Sequence, residues 1–120
     1  MDEYENLVAE RRNLEKRIYS LEADKRAAEN KKLVGKCFKY RNCYSCPEKP
    51  SDYFWLYLKV TGVDKTGRPS GWSFEIDKYG DCRVRKERPP SLAGGYKPIT
   101  SAEFEKAWTK FKAKVNSFAA

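Results

Sequence analysis

The first 33 residues carry hydrophobic side chains at alternating steps of three and four, and no glycine or proline occurs before Gly35. This spacing predicts one long helix with a heptad seam along one side. Such a helix is about 45 Å long at 1.5 Å per residue and cannot bury the seam by itself, so we expect a partner helix or surface. The seam contains Tyr4, Leu7, Arg11, Leu14, Ile18, Leu21, Lys25 and Ala28.

Charged side chains beside the seam bear on what the partner is. In a parallel pair of identical helices, two of the three flanking pairs are repulsive, which favours an antiparallel pair or a different protein. The pairs are Glu10 with Glu15, Asp24 with Glu29, and the attractive Arg17 with Glu22. Three interpretations stay open: a homodimer through residues 4–28, docking on another protein, and packing of Leu7, Leu14, Ile18 and Leu21 on the sheet of the same chain.

From Gly35 onward the hydrophobic period changes to two, which is typical of half-buried strands. One row runs through Phe54, Leu56, Leu58 and Val60, and another through Trp72, Phe74 and Ile76. An earlier strand is predicted over 34–40. The segment 62–71 contains three glycines and a proline, which predicts a loop longer than a tight hairpin and a natural contact site. The segment 88–98 predicts an irregular connection.

Residues 78–80 fit a three-residue hairpin that ends on a left-handed glycine. This turn sets four cross-strand pairs: Ile76 with Cys82, Phe74 with Val84, Glu75 with Arg83, and Ser73 with Arg85. Apolar residues then meet apolar residues on one face, and an acid meets a base on the other. The agreement on both faces predicts the register of this hairpin.

The C-terminal segment predicts an amphipathic helix. Thr100 and Glu103 form a capping box, and Ile99 and Phe104 are placed as its hydrophobic staple. The apolar face that should cover the sheet contains Phe104, Ala107, Trp108, Phe111, Val115 and Phe118. The fold class is therefore α+β: a long N-terminal coiled-coil helix, a small three- to four-stranded antiparallel sheet and a C-terminal amphipathic helix packed on it. We expect a helical arm over 1–33 and a basic α+β domain over 34–120.

Charge and composition narrow the function. The chain carries 25 lysines and arginines against 17 aspartates and glutamates, a formal net charge of +8. Residues 1–33 contain eight basic and eight acidic side chains, so the whole excess belongs to 34–120. Histidine is absent, which excludes Ser/His/Asp and Cys/His catalytic arrangements, and the glycines form no phosphate-binding loop. We expect a binding protein without enzymatic activity or a small-molecule substrate.

Basic and aromatic side chains suggest a nucleic-acid surface, because arginines neutralise phosphates and flat rings stack on unpaired bases. If the apolar row from Phe54 to Val60 faces the core, the residues between its members face outward. Arg83 and Arg85 of the predicted hairpin would then lie on the same outward face of the sheet. The candidate contact residues are Trp55, Tyr57, Lys59, Lys65, Arg68, Arg83 and Arg85. Lys106, Lys110 and Lys114 would extend the surface along the helix. The alternatives are a solvated helix face, a Glu75–Arg83 ion pair, and cover of the aromatic rings by the first helix.

Four cysteines, Cys37, Cys43, Cys46 and Cys82, match the ligand number of a tetrahedral zinc ion. Cys43 and Cys46 have the two-residue spacing of a metal knuckle, whereas Cys37 and Cys82 stand alone. The hairpin register places Cys82 on the apolar face, as expected for a buried thiol. A structural zinc site, unrelated reduced thiols and disulfides are the three alternatives.

Segments 34–42, 53–57 and 74–80, and Ile99–Thr100 with Phe104 and Trp108, resemble small accessory proteins that bacteriophages and prophages encode. The resemblance covers 34–115 and includes no catalytic motif, so no functional residue is carried over. It implies a regulatory or counter-defence protein, such as an anti-CRISPR, that occupies a nucleic-acid site or a subunit interface of a host complex. Inhibitors that mimic DNA are usually acidic, and the net charge of +8 departs from that pattern.

The function expected from the sequence is a small basic binding module that oligomerises or docks through its N-terminal helix and contacts nucleic acid through its basic and aromatic face. The alternative is a phage-encoded inhibitor that binds a host nucleic-acid-processing complex by protein–protein contact. No apolar run approaches the roughly 20 residues that cross a bilayer, and none follows Met1. We therefore expect a soluble, cytoplasmic protein that does not contact a membrane.

Overall fold

A computed structural model describes residues 2–43, 53–77, 79–89, 92 and 95–118. Its elements are helix α1 (Glu3–Asn30), a 3-10 turn (Lys31–Leu33), strands β1 (Cys37–Cys43), β2 (Tyr53–Val63), β3 (Pro69–Ile76), β4 (Cys82–Glu87) and β5 (Tyr96–Ile99), and helix α2 (Ser101–Phe118). All neighbouring strands are antiparallel, in the order β4-β3-β2-β1-β5. The α+β prediction is confirmed, with five strands instead of three or four.

The additional strand, β5, lies in the segment that we predicted to be an irregular connection. It returns along the free edge of β1, where Ile99 pairs with Cys37 and Tyr96 pairs with Tyr40. The strand is four residues long and contains Pro98, and proline inside a strand is tolerated mainly where the strand is at the sheet edge. A strand this short shows no hydrophobic alternation, which explains why the sequence pattern did not predict it.

The β2–β3 and β3–β4 hairpins differ in how well the sequence predicted them. The β3–β4 register is confirmed at all four predicted pairs, and Gly80 adopts the left-handed φ of +83°. The long loop predicted over 62–71 is wrong, because β2 continues to Val63 and β3 begins at Pro69. Gly71 is a strand residue at a close approach, since a Cβ there would collide with the carbonyl of Lys59. A bulge between Val60 and Gly62 interrupts the β2–β3 ladder.

Each face of the sheet carries its own hydrophobic cluster. The face under α2 holds the α2-side cluster, which buries Cys37, Phe74, Phe104 and Phe111 and recruits Tyr57, Trp72, Ile76, Cys82, Ile99, Ala107 and Trp108. The opposite face buries Phe38, Leu56, Leu58 and Val60 under Leu33, Tyr40, Leu92 and Tyr96. The apolar residues of β2 and β3 therefore serve different faces.

Helix α2 begins as the sequence predicts. The backbone N–H of Glu103 donates to the Thr100 hydroxyl at 3.1 Å, and Ile99 and Phe104 both pack in the α2-side cluster. The Glu103 carboxylate, however, pairs with Lys39 of β1 at 3.4 Å. This ion pair joins the first turn of α2 to β1.

The end of α1 is attached to the turn between β2 and β3. Arg26 donates through Nε and Nη2 to the Thr66 carbonyl at 3.1 and 3.0 Å, and the Asn30 amide donates to the Gly67 carbonyl at 2.7 Å. Gly67 has φ +83° and lies against the helix backbone, where a Cβ would meet the Ala27 nitrogen at 2.8 Å. The rest of α1 extends away, and the molecule measures 72 × 30 × 28 Å.

Asp64 organises this turn through one carboxylate oxygen. Oδ1 accepts hydrogen bonds from the Thr66 hydroxyl at 2.7 Å, the Thr66 N–H at 2.9 Å and the Arg68 N–H at 3.0 Å. The bond from the Thr66 hydroxyl, followed by that from the Arg68 N–H, lowers the pKa of Asp64 below its ordinary value. The ionised carboxylate is therefore the form that holds the turn.

We expect the contribution of Asp64 to stability to be complete above about pH 5 and to disappear as the pH falls below about 4, because a lowered native pKa means that protonation favours the unfolded chain. Asp64→Ala should destabilise the protein at pH 7, and the difference from wild type should shrink towards pH 3. Urea unfolding at several pH values measures this. A difference that stays constant down to pH 3 would show that the carboxylate charge does not hold the turn.

Candidate nucleic-acid interface

The predicted contact residues do not share one outward face. Trp55, Tyr57 and Lys59 lie on the α2 side of the sheet, because Tyr57 pairs with Phe74 and Lys59 pairs with Trp72. Arg83 and Arg85 pair with Glu75 and Ser73 and lie on the opposite side. The prediction of a single basic and aromatic face through both sets is therefore wrong.

Helix α2 covers two of the three β2 candidates. Tyr57 stacks on Phe74 with ring centroids 5.3 Å apart, and burial raises the pKa of its hydroxyl above the ordinary value. The ammonium of Lys59 lies 5.9 Å from the centroid of the Phe104 ring. Both side chains contact aromatic rings of the α2-side cluster, so they support the packing of α2.

Arg83 and Arg85 are matched by acidic side chains. Arg83 approaches Glu75 at 3.7 Å and Asp77 at 3.2 Å, and Arg85 approaches Glu75 at 3.4 Å. Glu75 and Asp77 are 3% and 4% exposed, and Asp77 also accepts the N–H groups of Tyr79 and Asp81. Two cations offset two buried anions, so Arg83 and Arg85 supply no excess positive charge for phosphates. The alternative Glu75–Arg83 ion pair is confirmed.

The loop candidates lie at the other end of the sheet. Lys65 and Arg68 are exposed in the turn that contacts α1. Trp55 is near the start of β2, about 30 Å away at 3.3 Å per residue. A ligand of Trp55 therefore reaches these two residues only if it is long.

Trp55 itself stands in a group of basic residues that the sequence reasoning did not select. The Lys39 and Lys97 ammonium groups lie 4.6 and 5.7 Å from the centroid of the Trp55 ring. Arg41 is the cross-strand partner of Trp55, and its guanidinium lies 4.2 Å from the centroid of the Tyr53 ring. We call Lys39, Arg41, Tyr53, Trp55 and Lys97 the Trp55 patch.

Three neighbouring strands build the Trp55 patch. Lys39 pairs with Lys97 across β1 and β5, and Arg41 pairs with Trp55 across β1 and β2. The patch contains three cations, of which Lys39 also contacts the Glu103 carboxylate. A cleft beside it is lined by Trp55, Tyr57 and Lys110 of α2. Lys110 is thus a predicted helix lysine that lines this cleft.

Cys37 is too far from Cys43 to share a metal ion with it. Cys37 and Cys43 lie at the two ends of β1, about 20 Å apart at 3.3 Å per residue, whereas zinc–sulfur bonds are about 2.3 Å long. Cys37 is buried, and burial raises the pKa of its thiol. Cys82 is half-buried, and both are free thiols.

Metal binding by the remaining cysteines stays a prediction. Cys46 and the side chain of Cys43 lie outside the described residues. Within the described part of the chain, no three cysteine, aspartate or glutamate side chains are grouped so that they could hold a metal ion. Structural zinc bound through Cys43 and Cys46 therefore rests on their spacing alone.

The predicted oligomerisation residues are on the free part of α1. Leu7, Leu14, Ile18 and Leu21 are between 54% and 59% exposed, so they do not pack on the sheet. Among the described helices, none combines the length and the apolar character needed to cross a membrane.

Comparison of the chain with protein-family models, with curated proteins and with solved structures finds no match.

Proposed function

We propose that this protein is a small, non-enzymatic basic binding module that contacts single-stranded nucleic acid through the Trp55 patch. The observation that carries the proposal is the Trp55 ring with the ammonium groups of Lys39 and Lys97 at 4.6 and 5.7 Å from its centroid. An indole ring and cations at this spacing supply the two interactions that bind unpaired nucleotides, which are stacking on the base and charge neutralisation at the phosphate.

The patch suits a single strand better than a duplex. A stacked base replaces a lysine over the indole ring, and the displaced ammonium then lies beside the phosphate of that nucleotide. Bases in a duplex are already stacked and offer no free face to Trp55. Binding of this kind tolerates many sequences, because every base has a flat face.

The proposed surface differs from the one predicted from sequence. It keeps Trp55, replaces the paired Arg83 and Arg85 by Lys39, Arg41 and Lys97, and treats Tyr57 and Lys59 as support for α2. Removal of Arg83 would leave the buried Asp77 without its counterion, although Glu75 would keep Arg85, and so would test stability more than binding.

The experiment is fluorescence anisotropy with labelled single-stranded and duplex DNA and RNA across a salt series. We expect Trp55→Ala to weaken single-strand binding about 10- to 100-fold, because stacking on one aromatic ring is worth about 1 to 3 kcal/mol per base. Trp55→Phe should retain most of the affinity. Lys97→Ala should lower the slope of log K against log salt by about 0.7, the value for one phosphate contact on a single strand.

Lys65→Ala is the matched control, because it removes the same charge from an exposed site at the other end of β2. It should leave affinity and salt slope close to wild type. An equal loss in Lys65→Ala and Lys97→Ala would mean that binding follows net charge and not the patch. Absence of binding at low salt would overturn the proposal.

A second candidate function is inhibition of a host nucleic-acid-processing complex by protein–protein contact, as the resemblance to phage accessory proteins implies. The exposed leucines of α1 favour it where a host protein, and not a second copy of the chain, covers them, because an apolar stripe has no use in binding phosphates. Retention of inhibition by the Trp55→Ala variant in a host-extract assay would separate this function from nucleic-acid binding.

A further inference from the structure

The free part of α1 has an apolar stripe that nothing in the described chain covers. Leu7, Leu14, Ile18 and Leu21 are 57%, 54%, 54% and 59% exposed, and the one buried residue of α1 is Ala23, where the β2–β3 turn begins to contact the helix. About 20 residues of isolated helix are marginally stable in water. The stripe therefore needs another apolar surface to pack against.

We propose that this occupant is the α1 helix of a second copy of the chain, packed antiparallel about a two-fold axis between residues 12 and 13. In this register Ile18 packs against Leu7 of the second copy, and Leu21 packs against Tyr4. The proposal is independent of the Trp55 patch, which lies near the start of β2, whereas α1 contacts the turn after the end of β2.

The polar seam residues select the antiparallel arrangement. In a parallel pair, the seam places Arg11 on Arg11 and Lys25 on Lys25 of the second copy, so two layers bring like charges together. In the antiparallel register, the aliphatic stem of Arg11 packs against Leu14. Lys25 then lies beyond the paired segment and its charge stays in water.

Flanking charges agree with this register near its centre. Glu10 faces Arg17 of the second copy, and the two-fold axis repeats this attractive pair. Arg11 lies 3.7 Å from Glu15 of its own chain and offsets the approach of the two Glu15 carboxylates at the axis. The repulsive pair, Glu3 with Asp24, lies at the solvent-exposed ends, where salt screens it.

The position of the sheet domains fits the same arrangement. Pairing over 4–21 ends just before Ala23, where the β2–β3 turn contacts α1. Residues 34–120 carry 17 basic and nine acidic side chains, and the antiparallel dimer places the two basic domains at opposite ends of a paired segment about 27 Å long at 1.5 Å per residue. A parallel dimer would place them side by side, with mutual repulsion.

Sedimentation equilibrium of the full chain up to about 100 μM tests the dimer. We expect a mass of about 28 kDa, twice the 14.0 kDa of one chain. Leu7→Asp with Ile18→Asp should return the monomer mass. Tyr19→Asp is the matched control, because Tyr19 is 58% exposed on the same helix but lies off the seam, and it should leave the dimer intact. Near-UV circular dichroism reports whether each variant keeps the folded sheet domain.

Charge exchange tests the direction of the helices. Neither Glu10 nor Arg17 has a charged neighbour three or four positions away, so their substitution changes only contacts with the second copy. Glu10→Arg should raise the dimer dissociation constant about tenfold, and Glu10→Arg with Arg17→Glu should restore it.

Two outcomes would contradict the antiparallel dimer. In a parallel dimer, Glu10→Arg would relieve repulsion from Glu15 and tighten the dimer, and this outcome would overturn the antiparallel register. A wild-type chain that stays monomeric at every concentration would overturn the dimer and assign the stripe to a different protein. Lys16→Glu is a control for charge, because it makes the same change as Arg17→Glu on the helix face away from the seam. It should leave the dimer dissociation constant unchanged.

Discussion

Phe104→Ala should lower the free energy of unfolding by about 3 to 5 kcal/mol, the usual cost of removing a fully buried phenylalanine ring. Phe104 is 1% exposed. Its ring makes edge contacts with Phe74 and Trp72 at centroid distances of 5.3 and 5.4 Å. The substitution leaves a cavity between α2 and the sheet that these rigid rings do not fill. A loss of this size is a large fraction of the about 5 to 15 kcal/mol that stabilises a typical domain.

Phe118→Ala is the matched control for this prediction. It is the same substitution in the same helix, but Phe118 is 65% exposed, so we expect a change of about 0.5 kcal/mol or less. Urea unfolding followed by tryptophan fluorescence measures both. Equal destabilisation by the two variants would mean that α2 is not held on the sheet by Phe104.

The packing of α2 matters for the candidate interface as well as for stability. Glu103 contacts Lys39, and Lys110 lines the cleft beside Trp55. Tyr57, which neighbours Trp55 on the same face of β2, is held against Phe74 under the helix. Loss of the Phe104 contact should therefore loosen one side of the Trp55 patch, and nucleic-acid binding by Phe104→Ala should be weaker even at temperatures where the variant stays folded.

Local sequence signals predicted local structure well. The β3–β4 hairpin was predicted because the turn, the apolar pairs and the Glu75–Arg83 pair all required the same register, and the structure has that register. The start of α2 was predicted because Thr100 offers a side-chain oxygen to the free N–H groups of a first turn. Such features depend on residues within about ten positions of each other, so the sequence contains them directly.

The face of each β2 residue could not be predicted in the same way. Strand β2 is apolar on both faces, so alternation shows which residues share a face but not which face meets α2. The bulge between Val60 and Gly62 adds one residue to β2 and so shifts the pairing of β2 with β3 by one position. Because side chains alternate between faces, this shift decides which β2 side chains share a face with a given β3 side chain. Leu58 is therefore paired with Ser73, and the β2 residues that alternate with it, Trp55 among them, lie on the same face of the sheet as Phe74, under α2.

The Trp55 patch required long-range information. Lys97 reaches Trp55 only because β5 returns to the edge of β1, and β5 is too short to show a period. Lys39 and Arg41 lie on the opposite face of β1 from Phe38. The alternation of side chains would have predicted this if β1 had been assigned to positions 37–43. The missing element was the pairing of three strands that are distant in sequence.

Gly67→Ala should separate α1 from the sheet domain. The left-handed φ of +83° at this position costs a residue with a Cβ about 1 to 2 kcal/mol. The new methyl group would also collide with the Ala23 carbonyl in the helix backbone. We expect the turn to move off α1, with loss of the hydrogen bonds from Arg26 and Asn30 at about 1 kcal/mol each. The junction between arm and domain should lose about 3 to 4 kcal/mol in total.

Native-state hydrogen exchange measures this loss directly, because amide protection at the end of α1 reports the local opening. A loss of about 3 kcal/mol corresponds to about a 100-fold fall in protection. Gly35→Ala is the matched control, since Gly35 has the similar φ of +87° but nothing lies within 4 Å of its Cβ position. It should show the conformational cost without the collision. Both substitutions have the same conformational cost, but only Gly67 contacts the helix. Equal effects would therefore mean that the close approach of Gly67 to α1 does not hold the arm.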